Sequence, residues 1–335
     1  MPVTELFDIA GEAEQINLQL DKAGRLRHLL TLQGLDRQHL TDLLDDSEQY
    51  LSEGGKPVVR TDSLAGRTVA NLFFEPSTRT RASFDLAAQR LGADVLNLDV
   101  NTSSRKKGES ILDTIYTLQA MQIDVMVVRD AQTGVPAHIA RHVNDFVSII
   151  NAGESDVSHP TQGLLDLLTI RRHKGRFDNL TVAIVGDIAH SRVARSASEG
   201  LATMGVRELR LISPESLAPD PGTVPPQAKI MHGLDEGVRG ADVIMALRIQ
   251  HERITNLDGI PGVDEYFASY GVTSERMKLA APGAIVMHPG PMNRGIEIES
   301  KLADSESSVI KEQVRNGVAV RMAVLTAVIR SMSPK

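Results

Sequence analysis

Two series of short, β-branched apolar runs, each interleaved with segments of helical period, constrain this chain more than any other feature of its sequence. The first series predicts strands at 68–75, 93–100, 124–129 and 147–151, with helices over 78–91, 108–121 and 136–143 between them. The second predicts strands at 180–185, 208–212, 242–247 and 284–288. Strands that alternate with helices run parallel, because each crossover carries the chain back to the same end of its sheet. The expectation is an α/β protein of two doubly wound, Rossmann-like parallel-sheet domains, with the active site in the crevice between them. A helix over 162–173 connects the two, and an apolar helix over 314–329 returns to the first. The predicted organisation is an N-terminal extension over 1–22, a first domain over 23–158 completed by 312–335, and a second domain over 159–311. The proline-rich stretch 214–226 reads as a surface loop.

Composition narrows the function. The 335 residues suffice for roughly two cores. No cysteine is present, which excludes disulfides, thiolate metal sites and a cysteine nucleophile. With 43 acidic against 36 basic residues the net charge is −7, and aromatics are 3%, which argues against nucleic-acid binding. No run reaches the about 18 apolar residues of a membrane span, so the chain reads as soluble, cytoplasmic and without a membrane partner. Any anionic ligand must be held by local basic clusters.

One such cluster is Phe73-Phe74-Glu75-Pro76-Ser77-Thr78-Arg79-Thr80-Arg81. A strand ends, Pro76 stops it, Ser77 or Thr78 caps a helix, and Phe84, Ala87, Ala88 and Leu91 give that helix an apolar face. Two arginines in the first turn oppose the helix macrodipole, which favours anions there by about 0.3–1 kcal/mol. An anion on the free amides removes the conflict, with hydroxyls and a guanidinium completing the cradle. A solvated basic turn fits the same residues. At other strand ends stand Arg129, Arg248 and His288, where open α/β sheets bind ligands but where a charge is also an ordinary solvated cap. His159 precedes Pro160 in a loop and is by itself as consistent with a structural role. Val185-Gly186-Asp187 through Arg192 opens a helix with one glycine where a dinucleotide fingerprint needs three, which argues against NAD.

Ser77-Thr78-Arg79-Thr80-Arg81 resembles the carbamoyl-phosphate signature of the aspartate and ornithine carbamoyltransferases, and the further motifs follow in matching order over 25–332. The resemblance implies that Ser77, Thr78, Arg79 and Thr80 grip the phosphate, that Arg129 and His159 reach the carbamoyl oxygen with Thr80, and that Gln162 of His159-Pro160-Thr161-Gln162 holds the carbamoyl amide. It implies a mobile loop carrying Ser103 and Lys107 into a neighbouring subunit's site, hence a homotrimer with shared sites. Arg192 and the Arg248-Ile249-Gln250-His251-Glu252-Arg253 segment are similar to the family's carboxylate-binding positions. His288-Pro289-Gly290-Pro291 resembles the aspartate enzymes' His-Pro-x-Pro segment, with the carbonyls of Gly290 and Pro291 carried over. The ornithine enzymes' His-Cys-Leu-Pro segment is excluded by the absence of cysteine. The resemblance therefore implies carbamoyl transfer from carbamoyl phosphate to L-aspartate in pyrimidine synthesis, with the domain over 23–158 binding carbamoyl phosphate and that over 159–311 binding aspartate. It calls for neither a metal nor a cofactor, and leaves room for a regulatory or dihydroorotase-like chain. Transfer to another amino acceptor such as ornithine, and a non-enzymatic anion-binding module, are the alternatives.

Overall fold

A computed structural model describes residues 18–52, 56–98, 110–250 and 261–332. The chain divides into two units: residues up to Thr161 together with Gly317 onward, and Gln162–Asn316.

The first unit runs α1 (Arg37–Gln49), β1 (Thr68–Phe73), α2 (Thr78–Arg90), β2 (Asp94–Leu98), α3 (Ile111–Ala120), β3 (Val125–Asp130), α4 (Val135–His142) and β4 (Ser148–Glu154), and then enters α5 (Pro160–Lys174). Its four strands lie in the order β2-β1-β3-β4, all parallel. Val69, Ala70 and Leu72 of β1 and Val125 to Val128 of β3 are completely buried, which is why these strands read as unbroken apolar runs rather than alternating ones. Ile111, Ile115 and Leu118 of α3 and Val135 and Ile139 of α4 cover one sheet face. Each such side chain contributes about 1.5–3 kcal/mol on burial.

Residues 18–22, the described end of the stretch 1–22, are anchored to this body. Gln19 is fully buried, and its Oε1 accepts from the backbone N–H groups of Leu30 and Thr31, both at 2.9 Å.

His28 is buried beside them, its Nδ1 accepting from the Ile149 N–H at 2.9 Å. Burial, with a smaller push from Arg27, lowers its pKa from the usual 6.5 to about 3. The unfolded chain therefore takes up a proton that the folded chain refuses. Its stabilisation is complete above about pH 6.5 and is lost as pH falls toward 3, at up to about 1.4 kcal/mol per pH unit. His28→Asn keeps an acceptor for Ile149 without that proton. Urea unfolding between about pH 4 and 6.5 is expected to give a flatter stability profile for the variant; equal slopes would show that His28 does not drive the acid limb.

The second unit runs β5 (Thr181–Val185), α6 (Arg192–Thr203), β6 (Glu208–Ile212), β7 (Ala228–Met231), α7 (Leu234–Val238), β8 (Val243–Ala246), α8 (Val263–Tyr270), α9 (Ser274–Met277), β9 (Ile285–Met287) and α10 (Ser300–Ala303). The order is β7-β6-β5-β8-β9, again all parallel. The edge strand β7 is an addition to the sequence-based expectation. The 214–226 stretch holds two short 3-10 turns, Glu215–Leu217 and Pro221–Thr223, and Leu217 is fully buried.

The last helix, α11 (Ile310–Ser331), crosses the division. Its C-terminal part packs on the first unit. Arg321 lies 5.0 Å from the Phe84 ring centroid, and the Thr326 hydroxyl lies 3.1 Å from the Tyr50 hydroxyl. Among the described residues no helix is long and apolar enough to cross a membrane.

Candidate active site

Both sheets reverse direction once, and the candidate residues flank those reversals. In the first sheet the chain steps from β1 outward to β2 and then returns past β1 to β3. In the second it steps from β5 through β6 to β7 and returns past β5 to β8. Helices leave on opposite faces at such a point, which opens a crevice at the strands' carboxyl ends.

At the β1/β3 reversal, Phe73 stands level with Arg129, and the Phe74 N–H donates to the Arg129 carbonyl at 2.8 Å. The cradle residues therefore begin beside Arg129. Ser77 occupies the N-cap of α2 in an extended conformation, yet its side chain makes no capping bond. Asp36, Ser110 and Ser191 all cap their helices by accepting from a first-turn N–H. The first turn of α2 thus keeps its amides uncapped by Ser77, with no acidic residue and two arginines beside them. Thr78 and Arg79 are exposed, while Thr80 lies on the buried face with Phe84, Ala87 and Ala88. A cleft of ≈ 410 Å³ lined by Phe73, Pro76, Ser77, Thr78, Arg81, Ala82 and Asp85 opens at this helix start.

Arg129 is buried. Its Nη2 donates to Glu75 Oε1 at 3.0 Å and its Nη1 to the Ala152 carbonyl at 3.1 Å. Glu75, at the end of β1, therefore fixes the guanidinium between the carboxyl ends of β1 and β4. Beyond β4, Glu154 and Ser158 close a short turn, and the buried His159 follows it at the entrance to α5. Gln162, also buried, donates from Nε2 to Asp166 Oδ1 at 3.0 Å one helical turn on.

At the β5/β8 reversal, Gly186 adopts a φ of 137°, and a Cβ there would lie 2.3 Å from the Leu247 carbonyl oxygen, so the strand ends meet only through glycine. Asp187 follows and is completely buried. Its Oδ1 accepts from the His190 backbone N–H at 3.1 Å and lies 2.9 Å from His190 Nδ1, and its Oδ2 accepts from the Gln250 N–H at 3.0 Å. One carboxylate thereby ties the turn that carries Arg192 to the segment that carries Arg248 and Gln250. Arg192 is buried at the first position of α6, whose cap is Ser191. Arg248 Nη2 donates to Gln250 Oε1 at 3.3 Å. Beneath them Tyr266 packs against Ile249 and Leu217; burial first, then the nearby Glu297 and Asp187, pushes its hydroxyl pKa far up, so it stays protonated.

At the end of β9, next to β8, the 288–291 loop is held from within. Gly290, with a φ of 67°, donates its N–H to His288 Nδ1 at 2.8 Å, and His288 Nε2 lies 3.0 Å from Glu297 Oε1 with both side chains buried. Pro291 is exposed.

The first unit thus gathers Ser77, Thr78, Arg79, Thr80, Arg129 and His159 at its reversal and beside it. The second gathers Arg192, Arg248 and Gln250, with Gly290 and Pro291 at the neighbouring strand end. Ser103, Lys107 and 251–253 lie outside the described residues. Sequence reasoning missed Glu75, Asp166, Asp187, Glu297 and Gln313 as partners of these residues. Glu75 and Asp187 stand inside motifs it had singled out, and an acid flanked by candidate ligands was the available signal.

Family models describe two successive parts of the chain: residues 27–172 match the aspartate/ornithine carbamoyltransferase carbamoyl-P binding domain, and 178–328 match the Asp/Orn binding domain of the same family. The fold is similar to ornithine carbamoyltransferase from Thermus thermophilus, with 27% identity, 90% of this chain and 99% of that chain covered, and a TM-score of 0.79. It is similar to aspartate transcarbamoylase from Trypanosoma cruzi in complex with aspartate and phosphate, at 30% identity, 90% and 95% coverage, and a TM-score of 0.79. Ornithine carbamoyltransferase from Pyrococcus furiosus gives 28%, 92% and 98%, and 0.80. With both halves of the chain matched in order, this chain belongs to the aspartate/ornithine carbamoyltransferase family and is a carbamoyl-transferring enzyme.

Proposed function

We propose that the chain is the catalytic chain of an aspartate carbamoyltransferase, a cytoplasmic enzyme that joins carbamoyl phosphate and L-aspartate into N-carbamoyl-L-aspartate and phosphate for pyrimidine synthesis. The observation that carries the choice of acceptor is the charge at the β5/β8 reversal. Arg192 and Arg248 stand there with Gln250, a set suited to two carboxylates. The acid at the same point, Asp187, is buried and already engaged by His190 and Gln250, so it does not offer itself to a cationic side chain such as that of ornithine. The family's aspartate-type His-Pro-x-Pro segment, present here as His288-Pro289-Gly290-Pro291, agrees with this reading.

The chemistry follows from the residues. The uncharged aspartate amine attacks the carbamoyl carbon, its nitrogen forming the new C–N bond and then shedding a proton. Negative charge develops on the carbamoyl oxygen, and the C–O bond to phosphate breaks with its electron pair leaving on phosphate. Thr80, Arg129 and His159 donate to the developing oxyanion, each well-placed donor being worth about 3–4 kcal/mol. Glu75 keeps Arg129 oriented for this. Arg79, the amides of Ser77 to Thr80, and Ser103 and Lys107 from a neighbouring subunit of a homotrimer receive the departing phosphate. Gln162 holds the carbamoyl amide. Arg192, Arg248 and Gln250 fix the aspartate carboxylates, and the carbonyls of Gly290 and Pro291 face its amine. Holding two reactants in attack geometry supplies much of the acceleration.

Phosphate release measured on the purified chain with carbamoyl phosphate and L-aspartate, L-ornithine or neither tests the reading. Release is expected with aspartate at a rate at least about 100-fold above that with ornithine, the discrimination that mispaired buried charges impose. Faster release with ornithine would reverse the acceptor assignment, and binding without release would leave an anion-binding module.

A further inference from the structure

Within the second unit a run of buried side chains links Gln162 to the 288–291 loop. Gln162 Nε2 donates to Asp166 Oδ1 at 3.0 Å. Gln313 Nε2 donates to the same oxygen at 2.8 Å, and Gln313 Oε1 accepts from the His288 backbone N–H at 2.9 Å. His288 in turn accepts from the Gly290 N–H through Nδ1, so its ring proton sits on Nε2 and is donated to Glu297 Oε1. Asp166 is 1% exposed, Gln313 2%, His288 2% and Glu297 1%. The orientation of the Gln313 amide is not arbitrary: a carboxylate only accepts and a backbone N–H only donates, so each end of the amide has one permissible partner.

We propose that Gln313, on α11, is a positioning residue that couples the carbamoyl side of the site to its amino-acid side. It holds Gln162 through Asp166 and the Gly290–Pro291 carbonyls through the His288 amide. The inference rests on the function proposed above for Gln162, Gly290 and Pro291. Three elements distant in sequence, α5, β9 and α11, meet at this one amide. A methionine would fill its volume, so packing alone does not require glutamine. What the amide adds is a fixed distance between a carboxylate anchored to Gln162 and a backbone N–H anchored to the loop. Loss of either bond frees one partner in a medium where the other has no water to turn to.

Steady-state kinetics on the full-length enzyme test this with Gln313→Met and with a transposed pair. Gln313→Met is expected to raise KM for both carbamoyl phosphate and L-aspartate about tenfold, with kcat at saturation within about threefold, the signature of lost ground-state positioning. A purely structural role would lower the thermal midpoint and the active fraction, and hence apparent kcat, without moving either KM. Gln313→Glu alone sets a second carboxylate against Asp166 and is expected to do at least as much damage as Gln313→Met. Adding Asp166→Asn removes that repulsion and, once the 166 amide turns so that its oxygen accepts from Gln162 and its nitrogen faces position 313, lets it donate to the carboxylate there, which still accepts from the His288 N–H. The double variant is therefore expected to recover both KM values to within about threefold of wild type, and this comparison carries the test if Gln313→Met does not fold. Unchanged KM values in Gln313→Met, or a double variant no better than Gln313→Glu, overturns the coupling while leaving the enzyme assignment intact. A wild-type enzyme that turns over neither aspartate nor ornithine overturns the assignment and the coupling with it.

Discussion

Arg79→Ala is expected to lower kcat/KM for carbamoyl phosphate by about 10³-fold or more while the chain remains folded. Arg79 sits in the first turn of α2 on an exposed position, where alanine is at least as good a helix former. A cation in that turn opposes the macrodipole. What retains it, on the proposed reading, is the phosphate. A guanidinium offers a planar pair of donors, and together with amides that Ser77 leaves uncapped it meets a dianion whose charge grows as the C–O bond breaks. The interaction strengthens in the transition state, so its loss appears in kcat as well as in KM. Arg79→Lys keeps the charge without the fork and is expected to recover part of the loss, on the order of tenfold. Initial-rate measurements paired with far-UV circular dichroism and a thermal melt separate the outcomes. Near-normal turnover in a folded Arg79→Ala enzyme would remove the phosphate from this helix start, and a shared collapse of structure and rate would make Arg79 a folding residue.

The same helix start illustrates what was legible from sequence and what was not. Parallel strands covered on both faces are continuous apolar runs, so β1, β3, β5 and β8 and the residues after their carboxyl ends could be read directly. β7 escaped because it is a four-residue edge strand, Ala228–Met231, whose one charged residue and proline-rich approach carry the marks of a loop. β4 runs on to Glu154 through Ala152 and Gly153, which resemble a turn; it continues because the Glu154 carboxylate accepts from the Gly134 N–H and its backbone closes onto Ser158. The polar residues Lys311, Glu312 and Gln313 concealed the true start of α11 at Ile310, since two of them are occupied across space, Glu312 with His173 and Gln313 with Asp166 and His288. Motifs reveal residues that face a ligand, because their types and spacing suit the ligand's chemistry. The acids and amides behind them, Glu75, Asp166, Asp187, Glu297 and Gln313, answer to partners up to 147 positions away, as Gln313 does to Asp166. Local pattern has no means of pairing them.

Asp187→Ala is expected to raise KM for L-aspartate by about 100-fold or more and leave the affinity for carbamoyl phosphate within about twofold. The carboxylate accepts from two N–H groups of different strand-end segments and touches the His190 ring, and it is fully buried. Its removal strands the Gln250 and His190 amides and unties the Arg192 turn from the Arg248–Gln250 segment, at about 1–3 kcal/mol for each group left without a partner. The strand ends themselves stay joined, the Leu247 N–H donating to the Val185 carbonyl at 2.7 Å, so the loss falls on the segments beyond them. Asp187→Asn retains one acceptor and turns a donor toward either Gln250 or His190. A neutral His190 can accept it at Nδ1, so this variant is expected to fall between wild type and Asp187→Ala. Calorimetric titration with carbamoyl phosphate, followed by kinetics with aspartate, resolves the two sides. Asp187 lies in the second unit and Ser77 to Thr80 and Arg129 in the first, so an equal loss of both affinities would mean that the carboxylate supports the fold at large. An unchanged aspartate KM would mean that Arg192 and Arg248 hold their places without it, and the acceptor site would then have to be sought elsewhere on the second sheet.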